Sequence, residues 1–209
     1  MDELPELPPN AFVKSDSSPD DLFYAAPRFV THIDGNAIAA VMVLYRELFP
    51  AAGVILDLMS SWISHLPRDV AYARVIGQGM NAAELAANSQ LTSSFVQNLN
   101  ENAILPLEPE SVDAAAICVS VQYLQNPIAV LREVARVLKP GGPVAITFSN
   151  RCFPTKAVAI WQALDDDAHA RLVAVYLERA GFAPIETREL VPPARGFDPL
   201  WAVIGRTRK

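Results

Sequence analysis

Residues 131–142 read Leu-Arg-Glu-Val-Ala-Arg-Val-Leu-Lys-Pro-Gly-Gly, and the apolar run Val144 to Phe148 follows almost at once. With Ile128 just upstream, Leu131, Val134, Ala135 and Leu138 recur at helical spacing and form one apolar stripe, so this stretch is a helix with one face for burial. The Lys139-Pro140-Gly141-Gly142 segment stops the helix and turns the chain into a strand. A short strand that is apolar at every position is buried on both faces, as in a parallel sheet flanked by helices.

Working outward, the same alternation recurs. Strands are expected at Val54–Leu58, Tyr72–Ile76, around Phe95, within Val112–Val121 and at Val144–Phe148. A helix from Asp34 to Phe49 starts on Asp34 as N-cap, carries Ile38, Val41, Leu44, Tyr45 and Leu48 at helical spacing, and stops at Pro50. The Ala-, Glu- and Leu-rich stretch Ala82–Asn88 is helical. Past the fifth strand, helices are expected at about Thr155–Leu164 and Asp167–Ala180, ended by Gly181. The last two runs, Ile185–Leu190 and Leu200–Ile204, have no helix between them and suit an antiparallel hairpin at the sheet's edge. The fold class is α/β, a seven-stranded, mostly parallel sheet with helices on both faces. Residues 1–20, rich in Pro, Ser and Asp, are expected to be poorly ordered, and 21–209 to form a single domain.

With 17 Lys and Arg against 23 Asp and Glu, the net charge is −6, which disfavours a sequence-independent grip on nucleic acid. No apolar run approaches the roughly 20 residues of a membrane helix, and Met1-Asp2-Glu3-Leu4-Pro5 lacks the start of a signal peptide. Cys118 and Cys152 are too few for a disulfide framework, so a cytoplasmic protein is expected.

Three motifs carry a resemblance. Leu105-Pro-Leu-Glu-Pro-Glu-Ser-Val-Asp113 is similar to the approach to the fourth strand, and residues 131–142 to the hallmark "E..RVLKPGG", of small-molecule methyltransferases. Val54-Ile-Leu-Asp-Leu58 resembles the strand that opens the cofactor site in the same proteins. In order and spacing, residues 35–206 resemble the class I S-adenosylmethionine-dependent methyltransferases. The resemblance implies a Rossmann-like fold, S-adenosyl-L-methionine as cofactor and a small-molecule methyl acceptor. Flanking segments, residues 23–34 and 58–67, look like a divergent branch with no known substrate.

The pattern breaks twice. Where the family has a Gly-rich loop, this chain has Met59-Ser60-Ser61-Trp62-Ile63. Either Ser60, Ser61 and the loop's backbone N–H groups contact the cofactor, or Met59 and Trp62 fill the site of a protein that has lost it; packing in the core is the plainer role for both. At the end of the second strand, where an acid normally takes the ribose hydroxyls, the chain has Gly77-Gln78-Gly79-Met80-Asn81. Asn81 can exchange hydrogen bonds with those hydroxyls and Met80 can pack on adenine, while Glu84 lies deep in the next helix. Asp57, Gly79, Asn98, Asn100, Val119 and Ser120 complete the cofactor residues that the resemblance implies.

Methyl transfer is an in-line displacement, so the protein mainly orients the acceptor and excludes water. A base helps only where the acceptor's proton is held tightly. His65, just past the first loop, and His32, ahead of the first long helix, are candidates for that base or else structural histidines. A zinc site at His32, Asp34 and His65 is disfavoured, because no further ligand stands at suitable spacing; no metal is expected. His169 is expected to be solvated. Tyr24 and Arg28 on an N-terminal lid, with Asn150 and Arg151 after the fifth strand, are candidate substrate contacts, Arg28 for pairing a carboxylate. Two functions follow: a methyltransferase acting on a small molecule, or a non-catalytic binding or scaffold protein on the same fold.

Overall fold

A computed structural model describes residues 4–208 of the chain. One seven-stranded sheet organises it: β1 (Val54–Leu58), β2 (Arg74–Gly79), β3 (Ser93–Val96), β4 (Ala114–Cys118), β5 (Pro143–Phe148), β6 (Ile185–Val191) and β7 (Leu200–Arg206). The spatial order is β3-β2-β1-β4-β5-β7-β6. β1 pairs in parallel with β2 and β4, β2 with β3, and β4 with β5. β7 runs antiparallel between β5 and β6, so the expected terminal hairpin is present and one strand is reversed.

Alternation along the strands divides the core into two layers. Ile55, Ala114, Ala116 and Ala145 face α2 (Gly35–Leu48), which packs Ala37, Val41, Leu44 and Tyr45 against them. Leu56, Leu58, Ile117, Val144 and Ile146 point the other way, toward α4 (Pro127–Val137) and α6 (Asp166–Arg179). The stripe read from residues 128–138 is the buried face of α4, where Leu131 and Val134 are wholly covered and Ile128 almost so. Burying each such side chain stabilises the fold by about 1.5–3 kcal/mol. Asp34 caps α2 by accepting from Ala37 N, as its position implied. Two short helices, α1 (Asp20–Tyr24) and α5 (Ala159–Ala163), and α3 (Ala82–Ala87) complete the set. No described helix is long and apolar enough to cross a membrane.

The structure departs from the sequence reading in three places. Residues 4–19 pack on the domain, with Leu4, Ala11 and Lys14 buried, so composition misled where a strap is covered by the body. The part of that expectation on residues 1–3 lies outside the described residues. The helix expected from Thr155 shortens to α5, because Phe153–Ala157 is drawn into turns and Lys14 bridges to Val158. His169 is buried rather than solvated: its ring stacks on Trp161 at 3.9 Å, and Nε2 lies 2.7 Å from Trp161 O.

Candidate functional site

Parallel strands leave a crevice at their carboxyl ends where the chain order reverses, here between β1 and β4. A cavity of about 320 Å³ opens there. Its floor comes from the chain leaving β1 (Asp57, Met59, Ser60, Ser61), β2 (Gln78 to Asn81), β3 (Gln97 to Asn100) and β4 (Cys118 to Ser120). Its roof is the N-terminal strap with Tyr24, Arg28, Thr31 and His32, and Arg151 to Phe153 close one side.

Side chains, in place of glycines, fix the loop after β1. Met59 adopts φ 56° and Val119, after β4, φ 42°, a region that costs a residue with a Cβ roughly 1–2 kcal/mol. His32 and His65 are left-handed too, so four of the six such non-glycine residues among those described lie on this cavity. Strain of this kind persists where the surroundings over-determine it, and it collects at functional sites. Met59 N donates to Gln78 Oε1 at 2.9 Å and Ser60 N to Gln78 O at 2.6 Å. Gln78 Nε2 in turn donates to Gln97 O. Asn88 Nδ2 donates to Ser61 O and Ser64 Oγ, which holds the segment leading to His65. The loop thus lies directly on β2: a Cβ at Gly79 would fall inside contact distance of the Ser60 carbonyl oxygen.

Every candidate residue read from the sequence lines the cavity except Trp62 and Asn150, the latter exposed and accepting from Ser149 Oγ. Several have partners that the sequence did not suggest. Asn81 donates to Tyr24 O and Ala25 O while its Oδ1 caps α3, so both ends of its amide are committed. Asn100 donates to Asp20 and Tyr123 O and accepts from Gln125 N. Asn98 bonds Glu101 and Asn100 N. Trp62 is outside the cavity: its Nε1 donates to Val30 O and its ring packs edge-on to Phe29, so it does not plug the site. Met59 does line it and also packs on the core. The Arg28 guanidinium, expected to meet a carboxylate, stacks 4.5 Å from Phe23 and 5.4 Å from Phe153 and donates to Phe23 O.

Glu84 is the main residue that sequence reasoning set aside. It is buried on the cavity wall, accepts from Arg28 N at 2.6 Å and Ser61 Oγ at 2.5 Å, and so joins strap, loop and α3. Gln78 and Tyr123 were also unforeseen; no motif marked them. The strap is anchored by Lys156, fully buried, whose Nζ meets Ser18 O at 2.7 Å, Asp16 at 3.1 Å and Asp20 at 3.4 Å. Burial raises Asp20's pKa, but Lys14, Asn100 and Lys156 together bring it below its ordinary value.

The electrostatics are uneven. Burial drives Asp57 up to about 6, against the hydroxyls of Ser60 (2.5 Å) and Ser64. Burial, then proximity to His32, drops His65 to about 4, and its Nδ1 has no partner. Burial also lowers His32, whose ring meets Phe153 edge-on, while Glu84 opposes the shift. Ser120 Oγ is buried and unpartnered as well. Among the described residues, no group of three or more His, Cys, Asp or Glu is placed to hold a metal.

These residues suit a positively charged ligand such as S-adenosylmethionine at the β1 end. Asp57 is a buried carboxylate with no cation beside it, and the chain leaving β4 brings Ser120 to the same cavity.

An open parallel sheet with one reversed strand, and a ligand-sized cavity at its switch point, define a class I methyltransferase-type α/β protein. The family described as "Methyltransferase domain" matches residues 59–146, from the first loop to the middle of β5. No curated protein matches the chain by sequence. Among solved structures it is similar to the [4+2]-cyclase SpnF, with TM-score 0.64 and 14% identity over 82% of this chain and 81% of that one. An S-adenosylmethionine-dependent methyltransferase from Mesorhizobium loti matches with TM-score 0.57 and 18% identity over 82% and 100% of the two chains. Haemonchus contortus phosphoethanolamine N-methyltransferase 2, in complex with S-adenosyl-L-methionine, matches with TM-score 0.60 and 14% identity over 82% and 52%. Identities this low show a shared fold. The chain thus has the fold of the class I methyltransferases, and its residues 59–146 match a methyltransferase-domain family.

Proposed function

We propose that the chain is an S-adenosylmethionine-dependent methyltransferase acting on a small molecule. Asp57 carries this reading. An isolated buried carboxylate is costly, and this one stands at the carboxyl end of β1, on the wall of the cavity. Its cost is relieved when a cation binds beside it. The solved structure of the Haemonchus enzyme with S-adenosyl-L-methionine supports that cofactor.

When bound, the cofactor supplies a methyl group on a sulfonium, open to in-line attack. The chain's own residues do the rest. Asp57 would hold the cationic end, and Met59–Ser61, Gly79, Met80, Val119 and Ser120 would line the rest of the cofactor's site. The strap carrying Tyr24, Arg28 and His32 covers the cavity and excludes water, and Arg151 stands at its mouth, paired to Asp198 at 3.0 Å. His65 and His32 are uncharged at neutral pH, so neither opposes the positive cofactor before transfer, and either could take the acceptor's proton as the sulfonium charge is lost. A net charge of −6 and a cavity of about 320 Å³ favour a small molecule over nucleic acid.

The test is calorimetric titration of the purified protein with S-adenosylmethionine and S-adenosylhomocysteine. Micromolar binding of both supports the reading. No heat and no thermal shift at millimolar ligand overturns it and favours a non-catalytic protein on the same fold. One observation speaks for that second reading: Asn81 and Asn100 spend their amides on the strap and on neighbouring backbone rather than on the cavity.

A further inference from the structure

Arg28 and Arg151 are the arginines on the cavity wall, and no lysine joins them. Arg151 is already paired to Asp198 at 3.0 Å. The Arg28 guanidinium meets no carboxylate among the described residues. Its Nη2 donates to Phe23 O at 2.8 Å, and Nη1 makes a long bond to Ala26 O at 3.4 Å. Glu84 does not serve it, because that carboxylate accepts from the backbone N of Arg28 and from Ser61 Oγ. The Arg28 side chain is half-buried, not sealed, so a ligand in the cavity can reach it.

The surroundings of the guanidinium leave its donors open. Its Cζ lies 4.5 Å from the centroid of the Phe23 ring, 5.4 Å from Phe153 and 5.8 Å from Tyr24. Rings stack on the faces of a guanidinium, while its N–H groups point outward in its own plane. The aromatic neighbours therefore offer those N–H groups no acceptor. A carboxylate does, since its two oxygens match the guanidinium fork. The rings also set the shape of what carries it. Phe153 meets Phe23 at 5.3 Å and 72°, and His32 at 5.4 Å and 82°. Edge-to-face packing of this kind is continued by a further flat ring.

Charge is divided across the cavity to suit. Asp57, at the end of β1, is held by hydroxyls and not by Arg28. His32, under the strap, does feel Arg28: burial lowers its pKa most, Glu84 opposes the fall and Arg28 adds to it. A ligand cation is favoured beside Asp57 and a ligand anion beside Arg28. We propose that Arg28 holds the carboxylate of an aromatic acid, the methyl acceptor, with the acid's ring packed against Phe153. The acceptor role rests on the methyltransferase reading; the carboxylate site does not.

The experiment is calorimetry with benzoate, beside benzamide, benzylammonium and acetate, on the full chain with and without S-adenosylhomocysteine. Benzoate is expected to bind about tenfold or more tightly than each of the others, because hydrogen bonds to a charged group outweigh neutral ones and acetate lacks the ring. Arg28→Gln should bring benzoate down to the level of benzamide and leave benzamide as it was, with an unfolding midpoint near wild type to certify the fold. Arg28→Lys keeps the charge without the fork and should fall between. The wild-type series decides even where a variant fails to fold. Benzoate no tighter than benzamide or acetate overturns the proposal, as does an Arg28→Gln protein that still prefers benzoate. Benzoate that binds only when S-adenosylhomocysteine is absent overturns it too, since Arg28 then takes the cofactor's own carboxylate. If benzoate binds as expected and S-adenosylhomocysteine never does, the carboxylate site stands and the methyltransferase reading falls. S-adenosylhomocysteine binding with no preference for benzoate rejects the carboxylate site alone.

Discussion

Replacing Asp57 by Asn should make the free protein more stable while removing its grip on the cofactor. Burial raises this carboxyl from 3.8 to about 6, a shift of about two units. At ~1.4 kcal/mol per unit, ionised Asp57 costs the fold ~3 kcal/mol relative to its protonated form. Below pH 3.8 both folded and unfolded chains hold the proton, and the cost is absent. Between 3.8 and about 6 the unfolded chain loses its proton first, so stability falls as pH rises; above about 6 the cost is constant. Asn cannot ionise, but it weakens the bond from Ser60 Oγ, a loss of ~1 kcal/mol. The net gain at neutral pH is therefore ~2 kcal/mol. Urea unfolding of both proteins from acid to neutral pH measures it, because other acid-sensitive groups cancel in the difference. That difference should grow through the window between 3.8 and about 6 and then level off. Binding should run the other way: wild-type affinity for S-adenosylmethionine rises with pH up to about 6, and the Asn variant binds weakly at every pH. A stability difference that ignores pH, or an Asn variant less stable at neutral pH, refutes the claim that Asp57 is an uncompensated buried charge.

The strap and loop give three further expectations. Gly79→Ala drives a methyl group against the Ser60 carbonyl and should cost about 1–3 kcal/mol and displace the loop. Its cofactor affinity should drop in the same calorimetric titration, and unchanged binding would show that the loop moves freely. Met59→Gly removes left-handed strain of ~1 kcal/mol and a similar amount of side-chain burial, so stability should stay within ~1 kcal/mol. Cofactor binding should persist; binding that appears only in the glycine variant would make Met59 a plug. Lys156→Met leaves Asp20 with Lys14 as its one remaining cation and should cost about 3–5 kcal/mol. Faster proteolysis within residues 14–20 is expected with it, and an unfolding midpoint near wild type would show that the strap is held elsewhere.

Residues whose local chemistry and tertiary role agree were legible in the sequence. The stripe of α4, its Pro/Gly stop and the apolar strands point to one answer at each level, and the sheet followed. The C-terminal pair was readable from its short connection. Legibility ended where tertiary partners override local character. Lys14 is buried in a segment whose composition suggests solvent because it pairs with Asp20, and Lys156 is buried because Asp16 and Asp20 neutralise it across more than a hundred residues of chain. His169 is buried because Trp161, eight residues before it, supplies both a stacking face and a carbonyl. Asn81 read as a ribose contact from its place after β2, yet the strap that claims its amide is remote in sequence and could not be foreseen.

The two departures from the methyltransferase pattern are one physical change. Glycines normally follow β1 because the backbone there must approach a ligand closely. Here the close approach is between the loop and β2, so the glycine it requires has moved to β2. Gly79 faces the Ser60 carbonyl, and its neighbour Gly77 faces Leu91. The Gly77-Gln78-Gly79 run is thus a packing requirement, and Gln78 between them supplies the amide and carbonyl that hold the loop. For the same reason no carboxylate can stand at position 79. The acid on that side of the cavity comes instead from Glu84 in the first turn of α3, where Ser61 and the strap backbone reach it. A missing glycine in the loop and a missing acid after β2 look like two independent losses when read along the chain. In three dimensions each follows from the loop lying on β2, and the cavity keeps its carboxylates.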